Sequence, residues 1–313
     1  MEIFRDLRNI RPETESVLSI GSFDGVHKAH QEIIRRLNLV AEEQGWQSTI
    51  VTFSPHPQLL LQANDRAPLL LTDDDEKADL LEAAGIKRLV IIPFDHSIAA
   101  LEADQFLQEI LQNKIGFQKM IIGFNHGFGK GRSGNRDTLA LLGERLGFEL
   151  EVIPPLLQNE VRISSTQVRK RLLQGDLDGA AAMLGRPHHF SGSVVKGAGR
   201  GGQIGFPTLN LEIKEERKLL PPAGVYIARA QTGDRRYLSI LNLGDAPTFG
   251  RDLAIPELHL LDFDAATPVS QNVKVELLRW MRPIRKFENS EQLVSQLRRD
   301  RSQALEQFRT LRF

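Results

Sequence analysis

Cysteine is absent from this 313-residue chain. That removes disulfides, thiolate metal sites and cysteine nucleophiles together. An excess charge of one sign is absent as well: Lys+Arg and Asp+Glu each number 40, for a formal net charge of +0. Duplex-binding proteins carry a basic excess, so no nucleic-acid partner is expected. No apolar run approaches the roughly 20 residues that span a bilayer. The opening Met1-Glu2-Ile3-Phe4-Arg5-Asp6 has no apolar signal core. A cytoplasmic protein without a membrane partner is expected, and its oligomeric state is left open. What the chain does have is length enough for two domains, each able to bury its own core.

From Val17 to about Ile153, strand and helix signals alternate. Apolar runs follow Val17 to Ile20 at Thr49 to Phe53, Arg88 to Pro93, Lys119 to Gly123 and Glu149 to Ile153. Helical patterns lie between them, at Asp73 to Ala84, Leu101 to Gln112 and Asp137 to Leu146. This is an α/β pattern with a mostly parallel, Rossmann-like sheet, whose ligand crevice opens at the carboxyl ends of the strands.

The stretch after the first of these strands carries the most chemistry. The strand stops at Gly21, and Asp24-Gly25 turns into an amphipathic helix. Strand, glycine turn and helix N-terminus bring unpaired N–H groups and the positive end of a dipole to one point, where a polyphosphate can sit. His27 and His30, three residues apart, can face the same anion. The alternative is a histidine packed in the core, because His30 shares a stripe with Val26, Ile33, Ile34, Leu37 and Ala41. Two later loops follow strands in the same way. One holds Ser54-Pro55-His56-Pro57. The other runs from Gly123 to Gly134, with five glycines, Lys130, Arg132 and interleaved Phe124 and Phe128. Farther on, Ser164, Ser165 and Thr166 form a hydroxyl-rich cap ahead of a helix with Arg169 in its first turn.

After a helical stretch Leu177 to Leu184, the chain changes character at Gly185-Arg186-Pro187. Between His188 and Met281 alternating runs are separated by Gly, Asp and Pro turns, which predicts a compact antiparallel β-barrel. A terminal helix over Glu291 to Arg312, with Leu293, Leu297, Leu305 and Phe308 on one face, should pack against it. The expected domains are therefore 1–184 and 185–313. Glycines 197, 199, 201, 202 and 205 suit a phosphate-cradling loop. The strand after Pro207 puts Thr208 and Asn210 on one face, and their hydroxyl and amide oxygens are hard ligands suited to Mg²⁺ held with ATP phosphates. Glu257 and His259 share a face of a later strand.

The pattern G-x-F-D-G-x-H-x-x-H from Gly21 to His30 resembles the phosphate-binding signature of nucleotidylyltransferases. In its F-D-G-V-H form it resembles the first module of the bacterial bifunctional riboflavin kinase/FAD synthetase family. That family usually has glycine where this chain has Ala29, and an aromatic where it has His126. The I-S-S-T-x-x-R stretch at Ile163 to Arg169 resembles the superfamily's second phosphate motif. The run of glycines ending in Gly205-Phe206-Pro207-Thr208-Leu209-Asn210 resembles the riboflavin kinase signature, and E-x-H-x-x-D from Glu257 resembles the segment that carries its base. The altered loop Ala265-Ala266-Thr267-Pro268 replaces a Y-G turn.

The resemblance implies two ATP- and Mg²⁺-dependent steps: riboflavin to FMN in the barrel, then FMN to FAD with release of pyrophosphate in the N-terminal domain. It implies Glu257 as general base of the first step, and His27, His30 and Asn125 as catalytic groups of the second. ATP and its phosphates would be held by Gly21, Phe23, Asp24, Gly25, Ser164, Ser165, Thr166 and Arg169 in one domain. In the other they would be held by Gly197, Gly201, Gly205 and Pro207, with Thr208 and Asn210 on the metal. The partners expected are the small molecules riboflavin, FMN and ATP. Two other readings remain: a barrel that senses flavin without chemistry, and an N-terminal domain reduced to a scaffold.

Overall fold

The computed structural model describes residues 1–62, 67–196, 206–244, 255–264 and 267–310. It divides into two compact units, Met1–Ser165 and Thr166–Phe313. Among the described residues no helix is long and apolar enough to cross a membrane.

The first unit contains β1 (Glu2–Phe4), β2 (Ser16–Ile20), α1 (Lys28–Gln44), β3 (Gln47–Ser54), α2 (Pro57–Leu61), α3 (Asp74–Ala83) and β4 (Arg88–Pro93). The short helices α4 (His96–Ala100) and α5 (Ala103–Gln105) then run into a π-helix, Phe106–Ile115. After these come β5 (Lys119–Gly123), α6 (Arg136–Leu146), β6 (Glu149–Ile153) and a small hairpin of β7 (Leu157–Gln158) and β8 (Val161–Arg162). Six strands form one parallel sheet in the order β1-β4-β3-β2-β5-β6. Covered on both faces, such strands read as continuous apolar runs, which is why the inner ones were predictable. β1 was not, because its three edge residues, Glu2 and Ile3 exposed and Phe4 half-buried, leave no such run.

One face of the sheet packs α1 through Ile33, Ile34, Leu37, Val40 and Ala41, a helical stripe, together with Leu81 of α3. The other face packs the π-helix and α6. The ordinary helix expected over Leu101 to Gln112 is instead broken at Leu101 and widened from Phe106 onward. The apolar positions explain the width: Phe106, Ile110, Leu111 and Ile115 recur at four- and five-residue intervals, and a π-helical turn keeps them on one side.

The second unit opens with α7 (Ser165–Leu173) and α8 (Leu177–Leu184). A closed barrel follows, built from β9 (His189–Val195), β10 (Leu209–Glu212), β11 (Gly224–Thr232), β12 (Arg235–Leu243), β13 (Glu257–Leu260) and β14 (Asn272–Arg282) in the order β10-β13-β12-β11-β14-β9. By packing this unit begins at Thr166, ahead of residue 185, since α8 lies against β14. Alternate residues such as Phe190, Leu211, Tyr226, Leu241, Leu258 and Val275 are buried and fill the barrel. The Tyr226 hydroxyl donates to the Pro222 carbonyl, and burial pushes its pKa up to about 12.

The terminal helix α9 (Ser290–Thr310) covers an outer apolar patch of Val225, Ile227, Ile240, Leu278 and Met281 with Ala304, Leu305 and Phe308. At the centre of that helix face lies a charge. Asp300 is fully buried and accepts from Arg282 Nε and Nη2 at 3.0 and 2.7 Å, and from Gln296 Nε2 at 2.8 Å.

Candidate active sites

In the first unit the strand order reverses between β2 and β5, the place where α/β sheets open a crevice. These strands are registered only at Val17↔Lys119 and Leu18↔Met120, so their carboxyl ends diverge. Gly21 to His27 leave β2 there, and the loop with Asn125 leaves β5. The turn is strained: Phe23, Gly25 and Val26 have φ of 47°, 80° and 39°. Gly25 takes this conformation freely, whereas a β-branched valine there is an outlier.

Asp24 holds the turn. It is buried, and its Oδ1 accepts from Leu71 N and Thr72 N, both at 3.0 Å, and from the Thr72 hydroxyl at 3.3 Å. Its Oδ2 accepts from Leu71 N at 3.2 Å, and Gly25 N donates to Thr72 Oγ1 at 3.1 Å. Expected beside phosphate, the Asp24 carboxylate is thus turned toward backbone amides. Ser165, the last residue of the first unit, donates from Oγ to the Asp24 carbonyl at 2.9 Å. Ser164 precedes it half-buried, and Thr166 and Arg169 follow on α7.

His27 is the N-cap of α1, and its Nδ1 accepts from His30 N at 3.3 Å, so its proton sits on Nε2. The two imidazoles stack with centroids 3.6 Å apart, and Phe23 lies 5.0 Å from His30. No carboxylate occupies the first turn of this 17-residue helix, so nothing there competes with an anion for the dipole. Burial first, then the nearness of His27 and Lys77, holds His30 well below the usual histidine pKa. It is therefore neutral and offers hydrogen bonding rather than positive charge. His30 Nδ1 is buried with no partner among the described residues, a polar atom that a ligand would satisfy. Packing against Phe23 and an unpaired buried nitrogen coexist in this residue.

Asn125 accepts at its amide oxygen from the Arg162 guanidinium, 3.2 Å from Nη2. Glycines of that loop serve its own packing. A Cβ on Gly134 would meet the Phe128 ring at 2.8 Å, and Phe128 and Gly134 exchange backbone bonds that close the loop. Lys130 faces Glu102 at 3.3 Å.

In the barrel, Gly197, Gly201 and Gly205 lie outside the described residues. Pro207 is exposed, and Thr208 is half-buried just ahead of β10. The register then does what local pattern cannot. Asn210 is directly opposite Glu257, and Glu257 is directly opposite Asn242 on its other side. Residues so paired point to one face, so Asn210, Glu257 and Asn242 form a row on the outside of the barrel. His259, two residues along, donates from Nδ1 to the Pro207 carbonyl at 2.8 Å, and Phe206 lies 5.4 Å from its ring. That bond ties the segment bearing Thr208 to the strand bearing Glu257.

The sequence model of the FAD synthetase family matches residues 9–167, and that of the riboflavin kinase family matches residues 184–308. The chain belongs to the bifunctional riboflavin kinase/FMN adenylyltransferase family. The family member of Bacillus subtilis (strain 168) is 31% identical over 304 residues, 96% of this chain and 95% of the relative. That of Escherichia coli (strain K12) is 32% identical over 311 residues, 98% of each. A solved structure titled "Crystal Structure of Macrolide-efflux Protein from Streptococcus pneumoniae" is similar with TM-score 0.84 and 28% identity, over 96% of this chain and 97% of that one.

Within this bifunctional family chain, four residues join the sites that motif reading did not select: Thr72 beneath Asp24, Arg162 beside Asn125, His259 on Pro207, and Asn242 beside Glu257. His259 stands inside a recognised stretch and Arg162 immediately precedes one, so both were legible as neighbours. Thr72 and Asn242 are joined to their sites by tertiary pairing, which no local spacing shows.

Proposed function

We infer that the two sites make flavin cofactors in succession, with 1–184 carrying the adenylyl step and 185–313 the kinase step. The family matches, which fall either side of residues 168–183, support that division. The observation that carries the kinase reading is the Asn210↔Glu257 register, which sets a metal-suited oxygen beside a carboxylate. As the ribityl hydroxyl oxygen bonds to the γ-phosphorus of ATP, its proton passes to Glu257, the bridging P–O bond breaks and ADP leaves. Thr208 and Asn210 offer neutral oxygen donors, the kind that suit Mg²⁺ sharing its sphere with phosphates and water. Bound there, the ion would supply charge compensation.

In the N-terminal unit an FMN phosphate oxygen bonds to the α-phosphorus of ATP, and pyrophosphate leaves with the α–β bridging oxygen. No protein nucleophile takes part. Catalysis is positioning and electrostatics: the α1 end and neutral His27 and His30 donate hydrogen bonds, and Asn125 with Arg162 faces the same crevice mouth. Ser164, Ser165, Thr166 and Arg169 supply a second set of donors. The reading puts the enzyme in the cytoplasm, with riboflavin, FMN and ATP as its partners.

Purified protein with riboflavin, ATP and Mg²⁺, followed by chromatography, should show FMN first and FAD after it. No FMN would remove the kinase reading and leave a flavin sensor. FMN without FAD at any ATP or Mg²⁺ concentration would remove the adenylyltransferase reading.

A further inference from the structure

The row on the outer barrel face has a third member without a role. Asn242 on β12 is cross-strand partner to Glu257 on one side and to Val225 on the other. Val225 belongs to the apolar patch that α9 covers. Between carboxylate and patch, the Asn242 side-chain oxygen is buried with no hydrogen-bond partner among the described residues. A buried, unpaired amide oxygen costs stability unless something else meets it.

The order of the row sets a direction. Phosphates and their metal belong on the Asn210 side of Glu257, and the reacting hydroxyl belongs at Glu257. The rest of the acceptor molecule must then leave on the remaining side, across Asn242 and toward the apolar patch. Cross-strand partners stand roughly 4.5–5.5 Å apart, farther than two carbons of an extended polyol chain reach, so Asn242 stands beside the inner part of the ribityl chain.

We propose that Asn242 is a substrate-binding residue of the kinase step, which accepts a hydrogen bond from an inner hydroxyl of the ribityl chain, away from the one phosphorylated. The inference rests on the barrel being the riboflavin kinase with Glu257 as base. The polyol end of the acceptor lies along Glu257 and Asn242, and its flat apolar end faces the Val225 side. The amide discriminates hydroxylated from deoxygenated chains, because an unmatched Asn242 stays unsatisfied.

The test uses the full-length chain with Asn242→Leu and Asn242→Ala, assayed for FMN formation from riboflavin and from an analogue lacking that inner hydroxyl. Removing one such bond should raise the KM for riboflavin about tenfold and leave the KM for ATP within about twofold. The parent should disfavour the deoxy analogue about tenfold, and the variants should treat the two substrates alike to within about twofold. Melting temperature should hold or rise in Asn242→Leu, since a buried unpaired oxygen is gone. A riboflavin KM within about twofold of parent in either folded variant, or an ATP KM raised as much as that for riboflavin, overturns the assignment. Should both variants fail to fold, a parent that does not discriminate against the analogue overturns it too. A parent that makes no FMN at all fails the kinase reading instead, which keeps the two failures apart.

Discussion

Asp24 is the residue whose structural placement differs most from its expected place on phosphate, and its removal separates the two roles. Asp24→Ala deprives Leu71 N and Thr72 N of their shared carboxylate. At about 1–3 kcal/mol for each orphaned buried group, the loss is about 2–6 kcal/mol. That carboxylate holds a turn in which Phe23 and Val26 sit at φ of 47° and 39°, together storing about 2–4 kcal/mol. The tether is thus comparable to the strain it restrains, and without it the turn relaxes and carries His27 and His30 out of place. A displacement of about 1 Å lowers turnover by about 10²-fold.

FAD formation from supplied FMN and ATP should therefore fall by at least about that factor in Asp24→Ala, with an earlier melting transition. FMN formation from riboflavin should be unchanged. Asp24→Asn keeps Oδ1 and its three acceptor contacts, so it should lie between parent and Asp24→Ala in both measurements. Adenylyl transfer within about threefold of parent, with parent-like melting, would refute the tether. An Asn variant as inactive as the Ala variant, both melting like parent, would place Asp24 on the nucleotide instead.

Asp300→Ala leaves the Arg282 guanidinium, its side chain 14% exposed, without its buried carboxylate, and should destabilise the barrel unit by about 3–5 kcal/mol in urea unfolding. A change below about 1 kcal/mol would show that α9 docks by its apolar contacts alone. His188 is buried, its Nε2 donates to the Leu219 carbonyl at 2.9 Å, and burial with the charge of Lys218 lowers its pKa from 6.5 to about 3. The unfolded chain protonates His188 below pH 6.5 while the folded chain stays neutral until about pH 3. The stability it contributes is therefore complete above pH 6.5 and is lost as pH falls through that window, by up to about 1.4 kcal/mol per pH unit. His188→Gln should flatten the urea midpoint between pH 7 and pH 4 relative to parent, and an unchanged slope would count against it.

Much of this arrangement was legible because it is local. Continuous apolar runs marked β4, β5 and β6 to the residue, and helical spacing marked α8 and most of α9. The turn after β2 was legible because strand, glycine and histidine spacing stand in one stretch. What escaped depends on partners distant in sequence. The Asp24 carboxylate finds Leu71 and Thr72, Asp300 sits on a helix face that reads as apolar until Arg282 meets it, and Asn242 acquires meaning only through the register of β12 against β13. The glycines of the Gly123 to Gly134 loop read as room for a ligand, yet Gly134 is needed by the Phe128 ring. The π-helical widening from Phe106 has no separate signal in a helical window.

The central claim is that one chain holds two independent ATP-dependent sites, with Glu257 serving the barrel alone. The most direct measurement is a pair of half-reactions on Glu257→Gln: FMN from riboflavin, and FAD from supplied FMN. The account predicts that the first falls by about 10²- to 10⁴-fold, as loss of a general base requires, while substrate binding changes much less. It predicts the second near the parent rate. FMN formation within about threefold of parent would return Glu257 to an ordinary exposed strand residue, and a parallel fall in both half-reactions would contradict the independence of the two sites.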